Sequence, residues 1–200
     1  MAWVWDNPNQ ARPVVASDSI HMSYNLGVEL GSGTYGRVLR ATRKRDNKGF
    51  AVKEIPKFQV RNLQDVRNEV AVMKKLRHPN ILKIVDSFDS SRYLHIVIEL
   101  CTGGELYEAI CKRGHLDETN VIGILRQTFA GIRHCHAANV VHRDLKPQNL
   151  LFLNPVPEGQ NIGSCQLKIV DFGVSKIFRE NEVLRQVSPH DFVVNCYTTC

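Results

Sequence analysis

Gly31, Gly33 and Gly36 form a Gly-x-Gly-x-x-Gly run, and backbone N–H groups without a neighbouring Cβ can approach phosphate oxygens closely. The spacing alone is weak, because dinucleotide-binding turns share it and many such runs are only flexible hairpins. The residues that follow decide the matter. Arg37-Val38-Leu39-Arg40-Ala41-Thr42 reads as a strand, with no capping residue or acidic first turn to open the helix a dinucleotide turn requires. A dinucleotide-binding oxidoreductase is therefore set aside. A hairpin laid over phosphates is expected, with Tyr35 near its tip.

Two charges stand where charge is expensive. Lys53 lies mid-strand, sharing a face with Ala51 and Ile55, and must reach water or meet an anion. Glu69 lies on the apolar stripe of a helix, three residues after Val66 and four before Met73. A carboxylate on a core-facing stripe needs a partner, and a Lys53–Glu69 pair accounts for both residues at once.

The elements that must position these groups follow from periodicity. Tyr24, Leu26, Val28 and Leu30 are predicted on one side of a strand, followed by strands near Val38 to Thr42 and Phe50 to Ile55. Leu63, Val66, Val70, Met73 and Leu76 predict a helix that ends before His78-Pro79-Asn80. Ile81 to Val85 and Leu94 to Leu100 return to strand. Gly103-Gly104 precedes a short helix from Glu105, and a longer helix carries Val121, Leu125, Thr128 and Ile132 on one face. Val140-Val141, Leu150 to Leu153 and Leu167 to Val170 read as short strands, with a Pro/Gly-rich insertion over 154–163. Strands first and helices later predict an α+β fold with a mainly antiparallel sheet.

Composition narrows the class. With 43% hydrophobic and 23% charged residues, the 200-residue chain can bury one sizeable core. Its net charge of +6 is spread along the sequence rather than gathered on one arm, which argues against nucleic acid as the partner. No apolar run approaches a membrane span, and Met1 to Trp5 leads into Asp6 and Asn7, so neither a transmembrane segment nor a secretory signal is expected. None of the six cysteines forms Cys-x-x-Cys, which fits a reduced, intracellular and cytoplasmic setting. His134-Cys135-His136 looks like a metal cluster, but helical neighbours point apart, so part core and part surface is the expectation.

His142-Arg143-Asp144-Leu145-Lys146-Pro147-Gln148-Asn149 resembles the catalytic loop of protein kinases, and Asp171-Phe172-Gly173 resembles their metal-binding triplet. Together with the glycine run at 31–38 and Ala51-Val52-Lys53, these motifs occur in family order over roughly residues 24 to 175. The resemblance implies a two-lobed kinase-like fold that uses ATP and Mg²⁺. By the same resemblance Asp144, Lys146, Lys53 and Glu69 are the catalytic set, and Asn149 and Asp171 hold the metal. Asp144 would accept or orient the proton of the attacking hydroxyl, and Lys146 would neutralise the transferring phosphoryl. Leu30, Gly31, Ser32, Gly33, Thr34, Tyr35, Gly36, Val38, Ala51, Glu99, Cys101, Glu105 and Leu151 would line the nucleotide. A hinge is implied at Glu99-Leu100-Cys101, with Ile98 behind it. His142 would pack beneath Phe172 rather than act as a base, in a stack continued by Met73 and Ile84.

Asp144-Leu145-Lys146-Pro147 resembles Ser/Thr rather than Tyr kinases. Glu99 to Leu106 and His78-Pro79-Asn80-Ile81 resemble the calcium/calmodulin-dependent and calcium-dependent group. The resemblance implies protein substrates with Ser or Thr, and a basic residue upstream that meets Glu105. Gln148 departs from the Glu of many basophilic kinases. With no Asp-x-Asp-x-Asp-Gly loop in the sequence, a calcium sensor is expected only on another chain or segment.

The family's Ala-Pro-Glu does not follow Gly173, after which 27 residues remain. The implied division is a tail over 1–22, a small lobe and hinge over 23–101, a partial large lobe over 102–186 and a divergent tail over 187–200. The chain is expected to be truncated, unstable alone and impaired in phosphate transfer, so an inactive nucleotide- or partner-binding kinase fragment is the alternative. Ser188, Thr198 and Thr199 are activation-segment candidates without a motif behind them.

Overall fold

Short apolar runs punctuated by glycine between Tyr24 and Glu99 fold as one antiparallel sheet. The computed structural model describes residues 3–7, 10–13, 19–33, 36–172 and 176–177. The chain begins with a hairpin of β1 (Trp3–Asn7) and β2 (Gln10–Pro13), then the single turn of α1 (Ser19–Ser23). Strands β3 (Tyr24–Gly33), β4 (Gly36–Arg43) and β5 (Gly49–Pro56) follow, then helix α2 (Leu63–Met73) and strands β6 (Ile84–Asp89) and β7 (Tyr93–Glu99). The sheet order is β3-β4-β5-β7-β6, with every neighbouring pair antiparallel. At five and four residues, β1 and β2 are too short for periodicity to announce them.

Two compact units divide the chain: Met1–Lys75 with Lys83–Leu100, and Leu76–Leu82 with Cys101–Cys200. In the first, Ile20, Tyr24, Ala41, Phe50, Val52 and Val97 form the core. Tyr24 meets Phe50 and Phe88 edge-on and donates its hydroxyl to Asp86 Oδ2 at 3.0 Å. Burial foremost, then the Asp86 carboxylate, pushes this phenol up to about 12.

The expected alternation along β3 holds only at its start. Tyr24 is buried and Leu26 half-buried, but Val28 and Leu30 are exposed. The register against β4 shifts between Leu26 and Glu29 and again between Glu29 and Gly31, and each shift re-aims the side chains that follow.

Helix α2 starts where the Asn62 side chain accepts the Gln64 N–H, and it buries Val70 and Met73. It stops at Met73, so Leu76 packs in the second unit instead of extending the stripe. Asp89, at the end of β6, receives Lys57 Nζ from the segment after β5 and Arg67 from α2, whose Nη2 lies 2.7 Å from Oδ2.

The second unit contains α3 (Leu106–Arg113), α4 (Glu118–Ala137) and two short antiparallel pairs. Strand β8 (Val140–Val141) pairs with β11 (Lys176–Ile177), and β9 (Leu150–Phe152) with β10 (Leu167–Ile169). Asp117 caps α4 by accepting the Asn120 N–H at 2.7 Å. The buried face of α4 is Asn120, Ile124, Thr128, Gly131 and Cys135, which shares Thr128 with the face the sequence predicts but is otherwise turned by one position. Val121 and Leu125 are exposed.

Hydrogen bonding explains the offset. Asn120 Oδ1 accepts the Gly163 N–H, and Gln127 Nε2 donates to the carbonyls of Gly163 and Cys165. Gln127 Oε1 accepts from Leu167 N and Asn80 Nδ2, both at 2.9 Å. These polar side chains zip the 154–166 segment and β10 onto the helix, so the inner face is not the apolar one. Cys135 is buried, and desolvation raises its thiol to about 11, while His134 stacks against His78 with ring centroids 5.3 Å apart.

Candidate active site

In the first unit the glycine run is a β3–β4 hairpin, with Gly31 opposite Val38, Ser32 opposite Arg37 and Gly33 opposite Gly36. Thr34 and Tyr35 lie outside the described residues. Gly36 has φ 137°, and a Cβ there would sit 2.0 Å from the Glu54 carbonyl oxygen, so both its conformation and its contact require glycine. Beneath the hairpin, Val38 opposes Lys53 on β5, and Lys53 opposes Ile96 on β7. Lys53 and Val38 are half-buried and Ala51 is buried, while Leu30, Gly31 and Ser32 are exposed. Glu69 is on α2, but its side chain lies outside the description, so the Lys53–Glu69 pair is not seen. Glu99 ends β7, and its Oε1 accepts the Lys83 N–H at 2.7 Å.

In the second unit Cys101 is half-buried, and Glu105 precedes α3 in a bridge with Leu151 of β9. The Thr102 and Gly103 N–H groups donate to the carbonyls of Leu153 and Phe152.

After β8 the chain gathers a cluster of hydrogen-bonded side chains. Arg143 has φ 67° and Asp171 φ 59°, left-handed conformations that non-glycine residues adopt at a cost. His142 is buried, with one ring nitrogen, Nε2, 2.9 Å from the Val170 carbonyl and the other accepting the Asp144 N–H at 3.3 Å. Desolvation foremost lowers its pKa below the ordinary 6.5, partly offset by the Val170 bond and the carboxylates of Asp144 and Asp171. A neutral imidazole with both nitrogens engaged by backbone has no free valence for proton transfer. Its ring meets buried Phe172 at 4.6 Å.

Asp144 Oδ2 accepts Lys146 Nζ at 2.8 Å and Asn149 Nδ2 at 3.0 Å. Asn149 Nδ2 also donates to the Asp144 carbonyl at 2.8 Å, and the Asn149 carbonyl accepts the Val170 N–H. The 3-10 turn Pro147–Asn149 thus ties the loop to the segment leading into Asp171. A Protein kinase domain family matches residues 24–194, which contain all of these groups. The chain belongs to the protein kinase domain family.

Within that family it is similar to several calcium-dependent protein kinases. It shares 34% identity over 172 residues with Calcium-dependent protein kinase 5 of Plasmodium berghei (strain Anka), covering 86% of this chain and 30% of that protein. Calcium-dependent protein kinase 7 of Arabidopsis thaliana is 37% identical over 172 residues, 84% of this chain and 31% of the relative. Calcium-dependent protein kinase 24 of the same plant is 34% identical over 188 residues, 92% and 31%. The chain therefore spans under a third of the length of these relatives.

The kinase loop has the donors that magnesium prefers. Asn149 is buried with its Nδ2 committed to Asp144, which turns the carboxamide oxygen away from that bond and keeps a hard neutral donor. Asp171 adds a carboxylate that is exposed. Among the described residues no group of three or more His, Cys, Asp or Glu is placed to hold a metal ion. No helix among the described residues is long and apolar enough to cross a membrane.

Sequence reasoning did not find the two left-handed residues or the Val170 carbonyl that engages His142. Asp171 is a residue type that tolerates that conformation, but nothing in the type of Arg143 signals it.

Proposed function

We propose that this kinase domain transfers the γ-phosphoryl of Mg-ATP to Ser or Thr hydroxyls of protein substrates. The observation that carries the reading is the Lys146–Asp144–Asn149 cluster: both bonds to the Asp144 side chain fall on Oδ2, and Oδ1 accepts none from the described residues. That oxygen is the acceptor for the hydroxyl proton as the hydroxyl attacks γ-phosphorus, while the bond to the β–γ bridging oxygen breaks and ADP leaves. Lys146 places its ammonium beside the same carboxylate, where charge builds on the moving phosphoryl. Asn149 and Asp171 would hold Mg²⁺, which neutralises phosphate charge when bound. Lys53 and the Gly31–Gly36 hairpin bind the triphosphate, Ala51 and Val38 pack against adenine, and Glu69 is the partner of Lys53.

Glu105, half-buried at the start of α3, favours substrates with a basic residue upstream of the acceptor. Calcium dependence belongs to the relatives by name, and here it would require a sensor outside this sequence.

A second reading, nucleotide binding with impaired turnover, is favoured by one feature of α4. Val121, Ile122, Leu125 and Phe129 are all exposed on it, an apolar patch of the kind that seats a further segment or a partner. Thermal unfolding with ATP, with and without EDTA, tests what the two readings share. Stabilisation is expected only with Mg²⁺, and Lys53→Met and Asp171→Asn should each remove it. Equal stabilisation in EDTA would contradict both readings.

A further inference from the structure

One face of the sheet in the first unit carries a ladder of charge across four strands. Arg37 of β4 donates from Nε to Glu54 Oε1 of β5 at 2.9 Å. Glu54 Oε2 lies 3.0 Å from His95 Nε2 of β7, and Arg37 Nη1 lies 4.0 Å from Glu29 Oε2 of β3. Arg37–Glu54 and Glu54–His95 are directly opposed pairs in the register. The Glu54 and His95 side chains are only 10% and 6% exposed, against 52% for Arg37.

A buried carboxylate of this kind is a poor way to gain stability, because apolar side chains of equal volume often do as well or better. Its place explains it better. Arg37 directly follows Gly36, and the backbone of Gly36 runs so close to the Glu54 carbonyl that no Cβ fits between them. Glu54 therefore meets the base of the glycine hairpin at two points, by close backbone approach at Gly36 and by the bond of its carboxylate to Arg37. Its chain neighbour Lys53 points to the opposite face of the strand. His95 holds the other carboxylate oxygen, and its Nδ1 is buried with no hydrogen-bond partner among the described residues. The imidazole is thus a neutral Nε2–H donor that locks the Glu54 rotamer.

We infer that Glu54 and Arg37 are positioning residues for the nucleotide triphosphate: their ladder fixes the Gly31–Gly36 hairpin over the strand that carries Lys53. This rests on the ATP reading of that hairpin. Loss of the ladder weakens the grip on phosphates and leaves the grip on the nucleoside as it was. A purely structural role would instead weaken both together, or neither.

The test is calorimetric titration of the 200-residue chain with Mg-ATP and, separately, with adenosine. Half-exposed Arg37 is the first variant because its removal leaves the core intact. Arg37→Ala and Glu54→Gln are expected to raise Kd for Mg-ATP about tenfold, the worth of one charge-assisted hydrogen bond, with adenosine changed less than about twofold. Arg37→Lys, which retains a cation, should recover most of the loss. Equal weakening of both ligands, or no weakening of Mg-ATP by Arg37→Ala, overturns the inference alone. Failure of the wild-type chain to bind Mg-ATP overturns the ATP reading, and the inference falls with it.

Discussion

Asn149 holds Asp144 through one nitrogen: Nδ2 lies 2.8 Å from the Asp144 carbonyl oxygen and 3.0 Å from its Oδ2. One amide thus sets the backbone and the carboxylate of the loop together, and its own oxygen is aimed elsewhere. Asn149→Ala removes both bonds and should cost about 1–3 kcal/mol of unfolding free energy. It should also abolish the Mg²⁺-dependent part of ATP stabilisation. Urea unfolding and thermal shift with ATP check the two effects separately. A variant as stable as the wild type would show that the bonds do not constrain the loop.

Among the described residues of α2, Val70 and Met73 are the buried side chains, and the Arg67–Asp89 contact, with Lys57 on the same carboxylate, joins the helix to the end of β6. Because the Arg67 side chain is 40% exposed, its share of the pairing is discounted, and Asp89→Asn should cost about 1–2 kcal/mol. Hydrogen exchange should show the amides of Leu63–Met73 losing protection first, with β5 and β7 unchanged. Uniform loss of protection across the first unit would contradict a local anchoring role.

Three histidines make the fold sensitive to acid. Desolvation foremost lowers the pKa of His78, His95 and His142 below the ordinary 6.5. His95 faces Glu54 from β5, Arg37 beyond it on β4, Tyr93 on its own strand and His21 from α1; of these Glu54 raises its pKa and His21 lowers it. A lowered pKa means that the unfolded chain binds more protons than the folded one just below pH 6.5. Stability is therefore full above that pH and falls as acid is added. His95→Gln should flatten part of the slope of unfolding free energy between about pH 7 and 5. An unchanged slope would remove His95 from the account.

Phe172 closes the loop from beneath, 1% exposed and edge-on to His142. Phe172→Ala should cost about 3–5 kcal/mol, while Phe172→Leu, which keeps most of the volume, should cost less than half of that. Chemical denaturation of both variants checks the ratio. Equal costs would mean that the aromatic edge contact, not volume, carries the packing.

The legible parts of this chain were those whose chemistry is local. The glycine run and the strand after Gly36 each fit within a few residues, so residue type and spacing were enough to place them, while the loop from His142 to Asn149 was placed by its resemblance to the kinase catalytic loop. The Arg37–Glu54–His95 ladder was not legible, because it exists only in the cross-strand register of β4, β5 and β7. The inner face of α4 was misplaced for a different reason. Thr128 is buried as predicted, but Asn120 and Gly131 are buried by hydrogen bonding and close approach while Val121 and Leu125 face outward, so hydrophobicity pointed one residue away at those positions. On β3 two register shifts broke an alternation that looks unbroken in sequence.

Phosphate transfer itself is the decisive measurement: ATP labelled at the γ-phosphate, a mixture of Ser/Thr-containing protein substrates and Mg²⁺, with the wild-type chain beside Asp144→Asn. Label appearing on Ser and Thr at a rate above that of Asp144→Asn, however slow, and lost in EDTA is the predicted result. Mg-ATP binding by both proteins with no difference in label between them would contradict the assignment of Asp144 and leave a nucleotide-binding domain without kinase chemistry.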